Sequence, residues 1–459
     1  MERHQVSRLI VISNRVQAPN EKSGSQGGLA VALTAALRST RGVWFGWSGE
    51  VGETTEPRFA TFDGVTSATV DLPEQDIEEY YDGYANRTLW PLFHYRLGLT
   101  EFERDFEGGY ERVNRVFGDV IAPHIEAEDL VWVHDYHMIP LGWFLRQHGL
   151  TNRLGFFLHI PWPPTRLLTA LPQHRRLVEA LFAYDVIGFQ TQEWLETFHD
   201  YVVREMGGTI GEGGDITVGG RTIRAIACPI GIDAEEFLAS ALGQEASVAF
   251  DRMVTSSTGR SLIIGVDRLD YSKGLEERFN GYQRYLETHA DAHSNVYLLQ
   301  IAPPSRASVQ SYRDIREKLD AMSGRINGAF ADIDWVPLRY VNQGYPRAVL
   351  AGIYRAARVG LVTPLRDGMN LVAKEFIAAQ DPEDPGVLIL SRFAGAAEQL
   401  QEALIVNPYS PDDIADAIAR ALAMTLDERK SRWQPMFDDI IKHDVNWWTN
   451  KFCDALATD

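Results

Sequence analysis

The stretch Ser261-Leu-Ile-Ile-Gly-Val266-Asp267-Arg268-Leu-Asp270-Tyr271-Ser-Lys273-Gly274, leading into Leu275 to Thr288, decides the fold class. Its first part is a short, nearly continuous apolar run rich in Ile and Val, which reads as a strand buried on both faces of a parallel sheet. A polar loop and a helical pattern follow. The start of the chain repeats this order: Arg8-Leu-Ile-Val-Ile-Ser-Asn-Arg15 is a buried strand, Ser23 to Gly28 a glycine-rich loop, and Leu29 to Arg38 a stretch of helix formers. Between and beyond them, strands are expected at Asp129–His134, Arg153–Ile160, Val186–Gln190, Val296–Ile301, Ala357–Val362 and Gly386–Leu390, alternating with helical patterns. Gly219-Gly220, inside Ile216 to Arg224, signals a hairpin, because tight hairpin turns need positive φ. The expectation is an α/β protein with two doubly wound, Rossmann-like domains, 1–228 and 229–437, facing a deep cleft and joined near Pro229 to Asp233. A C-terminal helix, 438–459, is expected to dock back on the first domain through Trp447 and Trp448.

Composition narrows the function. The 459 residues carry 44 Lys+Arg against 63 Asp+Glu, a net charge of -19. Affinity for nucleic acid comes largely from cations neutralising phosphates, so no nucleic-acid partner is expected. Two cysteines, Cys228 and Cys453, make neither a disulfide framework nor a CxxC metal pair. No apolar run approaches the roughly 18 residues of a membrane span, and the apolar run Leu9 to Ile12 is too short for a signal peptide. A soluble, cytoplasmic protein with no membrane partner is expected.

In doubly wound folds ligands sit beyond the C-terminal ends of the strands, so polar residues there carry the information. Arg15 closes the first strand, and Gly27-Gly28 precede a helix start, where unpaired N–H groups and the helix dipole favour an anion; the competing reading is a glycine turn beside a surface Arg. Arg268 and Lys273 share one short loop, and Arg306 follows another strand. Such cations suit a diphosphate; the competing reading pairs Arg268 and Lys273 with Asp267 or Asp270. In Thr363-Pro-Leu-Arg366-Asp367-Gly368-Met369-Asn370-Leu371-Val372-Ala-Lys374-Glu375, a helix beginning near Asn370 can hold a phosphate, Asp367 can accept sugar hydroxyls and Glu375 both hydroxyls of a ribose. The alternative makes Glu375 an exposed residue paired with Lys374 or Arg392. Asp135 is a hydroxyl acceptor at a strand end; His159 faces the ligand or is a satisfied core histidine. His134 with His137 lacks the third ligand that zinc needs, and Asp332-Ile-Asp334 reads as a solvated loop, so no metal is expected.

Taken in order, Ser13-Asn-Arg15, Gly27-Gly28-Leu-Ala, Trp44-Phe-Gly-Trp47-Ser-Gly, Leu89-Trp90-Pro-Leu-Phe-His-Tyr95, His134-Asp-Tyr-His137, Phe157-Leu-His159-Ile-Pro, Arg268 to Gly274 and Arg366 to Glu375 resemble the trehalose-6-phosphate synthases. These are retaining glycosyltransferases of the two-Rossmann (GT-B) type. The resemblance spans essentially the whole chain. It implies transfer of glucose from UDP-glucose to glucose 6-phosphate, with no cofactor, giving α,α-trehalose 6-phosphate and UDP. It also implies catalytic roles for His159, Arg268, Lys273 and Asp367. Gly27, Gly28, Arg268, Lys273, Tyr345, Asp367, Gly368, Met369, Asn370, Leu371, Val372 and Glu375 would bind the donor. Arg15, Tyr81, Trp90, Asp135 and Arg306 would bind the acceptor, and His159 would lie beside the transferred glucose. A homo-oligomer, dimer or tetramer, is expected. Two rivals share the fold, a relative that couples cyclitols and a catalytically silent sugar-phosphate sensor. A nicotinamide dehydrogenase is excluded because no GxGxxG follows the first strand.

Overall fold

In the computed structural model, which describes residues 8–16, 33–34, 37, 40, 42–53, 56–62, 64–306 and 308–458, the chain divides into two compact units. The first runs to Pro229 and takes back Asn446–Asp459; the second holds Ile230–Val445. Gly27 and Gly28, with the rest of the expected glycine-rich loop, lie outside the described residues.

The first unit is built on ten strands: β1 (Leu9–Arg15), β2 (Val43–Val51), β3 (Arg58–Phe62), β4 (Val65–Leu72), β5 (Leu130–His134), β6 (Leu154–Phe157), β7 (Val186–Phe189), β8 (Thr209–Ile210), β9 (Asp215–Val218) and β10 (Arg221–Ala227). Their order is β3-β4-β2-β1-β5-β6-β7-β10-β9-β8. Pairing is parallel from β4 through to β10, and β3, β9 and β8 add antiparallel edges. Because the chain works outward from β1 in one direction and from β5 in the other, the order reverses between these two strands. That switch point is where doubly wound sheets open a crevice for ligands. The hairpin turns at Gly219 and Gly220, whose φ of 57° and 84° are those a tight β turn needs.

In the second unit six strands are all parallel: β11 (Ser261–Val266), β12 (Val296–Ile301), β13 (Leu338–Val341), β14 (Val359–Val362), β15 (Val387–Ser391) and β16 (Leu404–Val406). The order β13-β12-β11-β14-β15-β16 is that of a dinucleotide-binding sheet, with its switch point between β11 and β14. Ile263, Leu298, Leu338, Val359 and Ile389 pack with Phe279, Tyr282 and Leu319 of the covering helices in one apolar core. Burial of this kind, rather than helix propensity, holds the layers together.

The C-terminal segment departs from the expectation of one helix over 438–459. Two helices occur, Leu426–Lys442 in the second unit and Val445–Ala457, almost all of it in the first, so position 438 falls inside a helix. At the break, still within the second unit, Val445 N donates to Ile232 O at 3.2 Å. Phe452 then stacks on Trp132 with centroids 4.6 Å apart, and Trp448 lies 4.8 Å from the same ring. Gly155 and Gly188 make the room, since a Cβ on either would come within 2.8 Å of the Phe452 ring. The expected strands Arg153–Ile160 and Val186–Gln190 end earlier, at Phe157 and Phe189. Beyond Phe157, Pro161, Pro163 and Pro164 cannot donate to a ladder.

Candidate functional site

At the switch point of the second unit, the loops after β11 and β14 are bonded to each other. Leu365 N donates to Ser272 O at 2.8 Å, and buried Arg278 donates to Thr363 Oγ1 at 3.0 Å, to Asp267 Oδ2 at 2.7 Å and to Gln300 Oε1 at 2.8 Å. Gly274 closes the first loop with φ of 64°, and a Cβ there would sit 2.1 Å from Thr363 O, so only glycine fits. Lys273 is thereby fixed beside Asp367, and its ammonium bonds to Asp367 Oδ2. Arg268 is exposed. The ion pair of Lys273 is with Asp367, while Asp267 pairs with Arg278 and Asp270 with Arg306. Burial raises the Asp267 carboxyl despite the adjacent guanidinium.

Asp367 is buried and is also reached by Asn370 Nδ2 at 3.0 Å. Asn370 has φ of 78° and accepts from Ala373 N at 3.3 Å, which caps the helix Leu371–Ala379. Gly368 and Met369 lie in the bend that leads into this cap, with Ala396 N donating to Met369 O at 2.8 Å. The helix therefore starts, at Leu371 and Val372, beside Lys273 and Asp367, and its N-terminal N–H groups and dipole favour an anion. Glu375, one turn along, is largely buried, its side chain 14% exposed, and Arg347 Nε lies 3.7 Å from its Oε1. Burial pushes its carboxyl up to about 7, with Arg347 opposing. Neither Lys374 nor Arg392 is its partner: Lys374 Nζ donates to Ile230 O and to Gln399 Oε1, both at 2.7 Å.

Tyr345, half-buried, borders an apolar cavity of about 670 Å³ lined also by Val248, Met253, Leu299, Ile301 and Arg339. None of Arg268, Lys273, Asp367 and Glu375 lines it. Arg306, after β12, has a side chain only 6% exposed and bonds to Tyr312 and Asp270. Asp332 and Asp334 are exposed, and Asp334 pairs with Arg260 at 3.2 Å. Among the described residues no group of three or more His, Cys, Asp and Glu side chains is arranged to hold a metal ion.

The switch point of the first unit brings Arg15, at the end of β1, and Asp135, just after β5, to the same side of the sheet. Arg15 is exposed, its guanidinium 5.8 Å from the Trp47 ring and against Gly49, where a Cβ would come within 2.4 Å of it. Tyr81 lies edge-on to Trp47 at 5.6 Å and stacked on His137 at 6.0 Å. The wide-turned helix Ile77–Leu89 carries Tyr81. Trp90 is 5% exposed, covered by His94 and Tyr136 at centroid distances of 4.1 and 5.6 Å. Asp135 has φ of 73° and accepts from His159 N at 3.2 Å, which joins the ends of β5 and β6.

His159 Nε2 lies 3.0 Å from His134 Nδ1, and its Nδ1 lies 3.2 Å from Gln190 Nε2. Burial depresses the His159 imidazole to about 3 and holds His134 well below its usual value. At neutral pH His159 is therefore a neutral hydrogen-bonding group rather than a proton carrier. The supporting roles of Trp47, Tyr136, Gln190, Arg278 and Tyr312 escaped the sequence reading, although Trp47 lies in the quoted Trp44 to Gly49 run, Tyr136 in His134 to His137 and Gln190 at the end of an expected strand.

Residues 3–458 match the profile of glycosyltransferase family 20. The chain belongs to glycosyltransferase family 20. Among family 20 relatives, it is 48% identical over 448 residues to a trehalose-6-phosphate synthase of Enterobacter sp. (strain 638), covering 97% of this chain and 94% of that one. A trehalose-6-phosphate synthase of Sinorhizobium fredii is 48% identical over 458 residues, covering 98% of each. The UDP-forming α,α-trehalose-phosphate synthase of Burkholderia xenovorans, solved in complex with glucose 6-phosphate, superposes with a TM-score of 0.95 at 48% identity, covering 98% of this chain and 100% of that one. An E. coli structure bound with UDP-2-fluoro glucose gives a TM-score of 0.95 at 45% identity, covering 99% and 100%. The two-Rossmann architecture expected from the alternation of strands and helices is thus that of solved family 20 proteins.

Proposed function

We propose that this protein is an α,α-trehalose-phosphate synthase (UDP-forming), which moves glucose from UDP-glucose to glucose 6-phosphate with retention of the α configuration. The observation that carries the reading is the second unit's switch point, where Lys273, Asp367, the capped helix at Asn370 and the buried Glu375 lie together. A diphosphate fits the ammonium and the helix start, and ribose hydroxyls fit Glu375. Relatives about half identical over nearly the full chain, one solved with glucose 6-phosphate, support the acceptor.

The chemistry follows from where charge develops. Cleaving the anomeric C–O bond leaves negative charge on the departing phosphate, and cations already in place there stabilise the transition state most. A charged hydrogen bond contributes about 1.5 to 3 kcal/mol net, so Lys273 and Arg268 each supply roughly tenfold to a hundredfold in rate. Asp367 and Asp270 are tied to Lys273 and Arg306, and carboxylates so held are poor nucleophiles. We therefore read the reaction as departure and attack on one face of the sugar, with the departing phosphate accepting the acceptor's proton. His159, neutral, would donate or accept a hydrogen bond at the transferred glucose. Arg15, Tyr81, Asp135 and Arg306 would hold glucose 6-phosphate, and Trp90, buried beneath Tyr136, would act on the acceptor through that ring. Gly27 and Gly28 would bind the donor. No cofactor or metal enters this reading, and a cytoplasmic homo-oligomer is part of it; no helix among the described residues is long and apolar enough to cross a membrane.

Release of nucleoside diphosphate from UDP-, ADP- and GDP-glucose, each with glucose 6-phosphate, tests the proposal. UDP-glucose should be turned over fastest. No release from any of the three would sink it.

A further inference from the structure

We propose that Asp270 is a positioning residue that serves both phosphate subsites at once, one carboxylate oxygen for each. This rests on the reading above that Lys273 faces the donor diphosphate and Arg306 the acceptor phosphate. Asp270 sits in the loop after β11 with no exposed surface. Its Oδ1 accepts from Ser272 N at 2.9 Å, which caps the short turn Tyr271–Lys273. Lys273 is the last residue of that turn, so the cap sets where its side chain leaves the backbone.

The other oxygen holds Arg306. Tyr312 OH donates to Asp270 Oδ2 at 3.0 Å, and Arg306 Nη1 lies 3.4 Å from the same oxygen. Arg306 Nη1 donates in turn to Tyr312 OH, and the guanidinium carbon lies 5.5 Å from the Tyr312 ring centroid. Arg306 has φ of 47°, a left-handed conformation that a non-glycine residue keeps only when its surroundings hold it there. Asp270 and Tyr312, at the start of the helix Gln310–Phe330, are those surroundings. A buried carboxylate is tolerated because a cation and two further donors satisfy it. The result is one rigid group to which both phosphate-binding cations are referred, so neither can shift without disturbing the other.

Steady-state KM values for the two substrates separate this role from a merely stabilising one. Tyr312→Phe removes one donor to Oδ2 and should raise the KM for glucose 6-phosphate roughly fivefold, leaving that for UDP-glucose within about twofold. Asp270→Asn keeps an acceptor for Ser272 N but removes the charge opposite Arg306. It should raise the glucose 6-phosphate KM roughly tenfold to a hundredfold, with a smaller change for the donor. Asp270→Ala loses both arms and should weaken both substrates; UDP titration calorimetry reads its donor arm if turnover is lost, and unchanged UDP affinity overturns that arm. Arg306→Ala is the reference. If it leaves the glucose 6-phosphate KM unchanged, the placement of Arg306 at the acceptor fails. If it raises that KM while Tyr312→Phe and Asp270→Asn do not, or while they raise both KM values equally, the role given to Asp270 is overturned.

Discussion

The proposed place of Glu375 at the donor ribose makes donor binding depend on pH. Its carboxyl is largely buried, with Arg347 Nε 3.7 Å away, and burial raises it to about 7. In the ligand-free protein the proton stays on as the pH rises past the usual carboxylate range and leaves only through about pH 7. A ribose diol donates two hydrogen bonds and prefers the ionised form, so UDP binding at lower pH must first expel that proton. With a group at about 7, roughly nine-tenths is protonated at pH 6 and one-tenth at pH 8, so UDP should bind about tenfold more weakly at pH 6. Calorimetry at pH 6 in two buffers of different ionisation enthalpy counts the protons released. UDP's own terminal phosphate also titrates near 6, and comparison with Glu375→Gln removes that contribution. The wild-type protein should release close to one proton more than the variant at pH 6, and about a tenth of one at pH 8. Equal release from the two proteins at pH 6 would refute the placement of Glu375 at the ribose.

Three other perturbations probe separate parts of the account. Lys273→Met should cut kcat/KM for UDP-glucose roughly tenfold to a hundredfold, from the loss of one charged hydrogen bond, while leaving the acceptor KM nearly unchanged; initial rates check both. Gly274→Ala forces a Cβ into Thr363 O in a left-handed backbone, so the melting temperature should drop and UDP affinity with it. Phe452→Ala empties the space over Gly155 and Gly188 and should cost the first unit about 3 to 5 kcal/mol, seen as faster amide exchange in β6 and β7 but not in β11 or β14.

What the sequence disclosed depended on how local the signal was. Ser261–Val266, Val296–Ile301 and the Gly219-Gly220 hairpin were legible because a buried parallel strand and a positive-φ turn leave marks within a few residues. Val43–Val51 and Leu338–Val341 left weaker marks, the first interrupted by glycines and polar residues and the second only four residues long. The break at His443-Asp444 was invisible because it is set by contact with Ile232, more than two hundred residues away. The candidate site shows the same division. Arg268, Lys273, Asp367 and Glu375 stand at strand ends and helix starts, where chain order alone points to them. What positions them does not: Lys273 to Asp367, and Asp270 to Arg306 and Tyr312, join segments far apart in the chain, and Arg278 reaches back to Asp267 from the helix that follows. Burial also changed chemical character. Glu375, which could have been a solvated helix residue, is a carboxyl near neutrality, and His159 is held neutral.

The central claim, glucosyl transfer with retention to glucose 6-phosphate, is met most directly by proton NMR of the products formed from UDP-glucose and glucose 6-phosphate. Retaining transfer should yield UDP and a phosphorylated disaccharide with two α-anomeric protons and no reducing end, appearing in equal amounts. A β-linked product, or UDP release accompanied by free glucose alone, would contradict it.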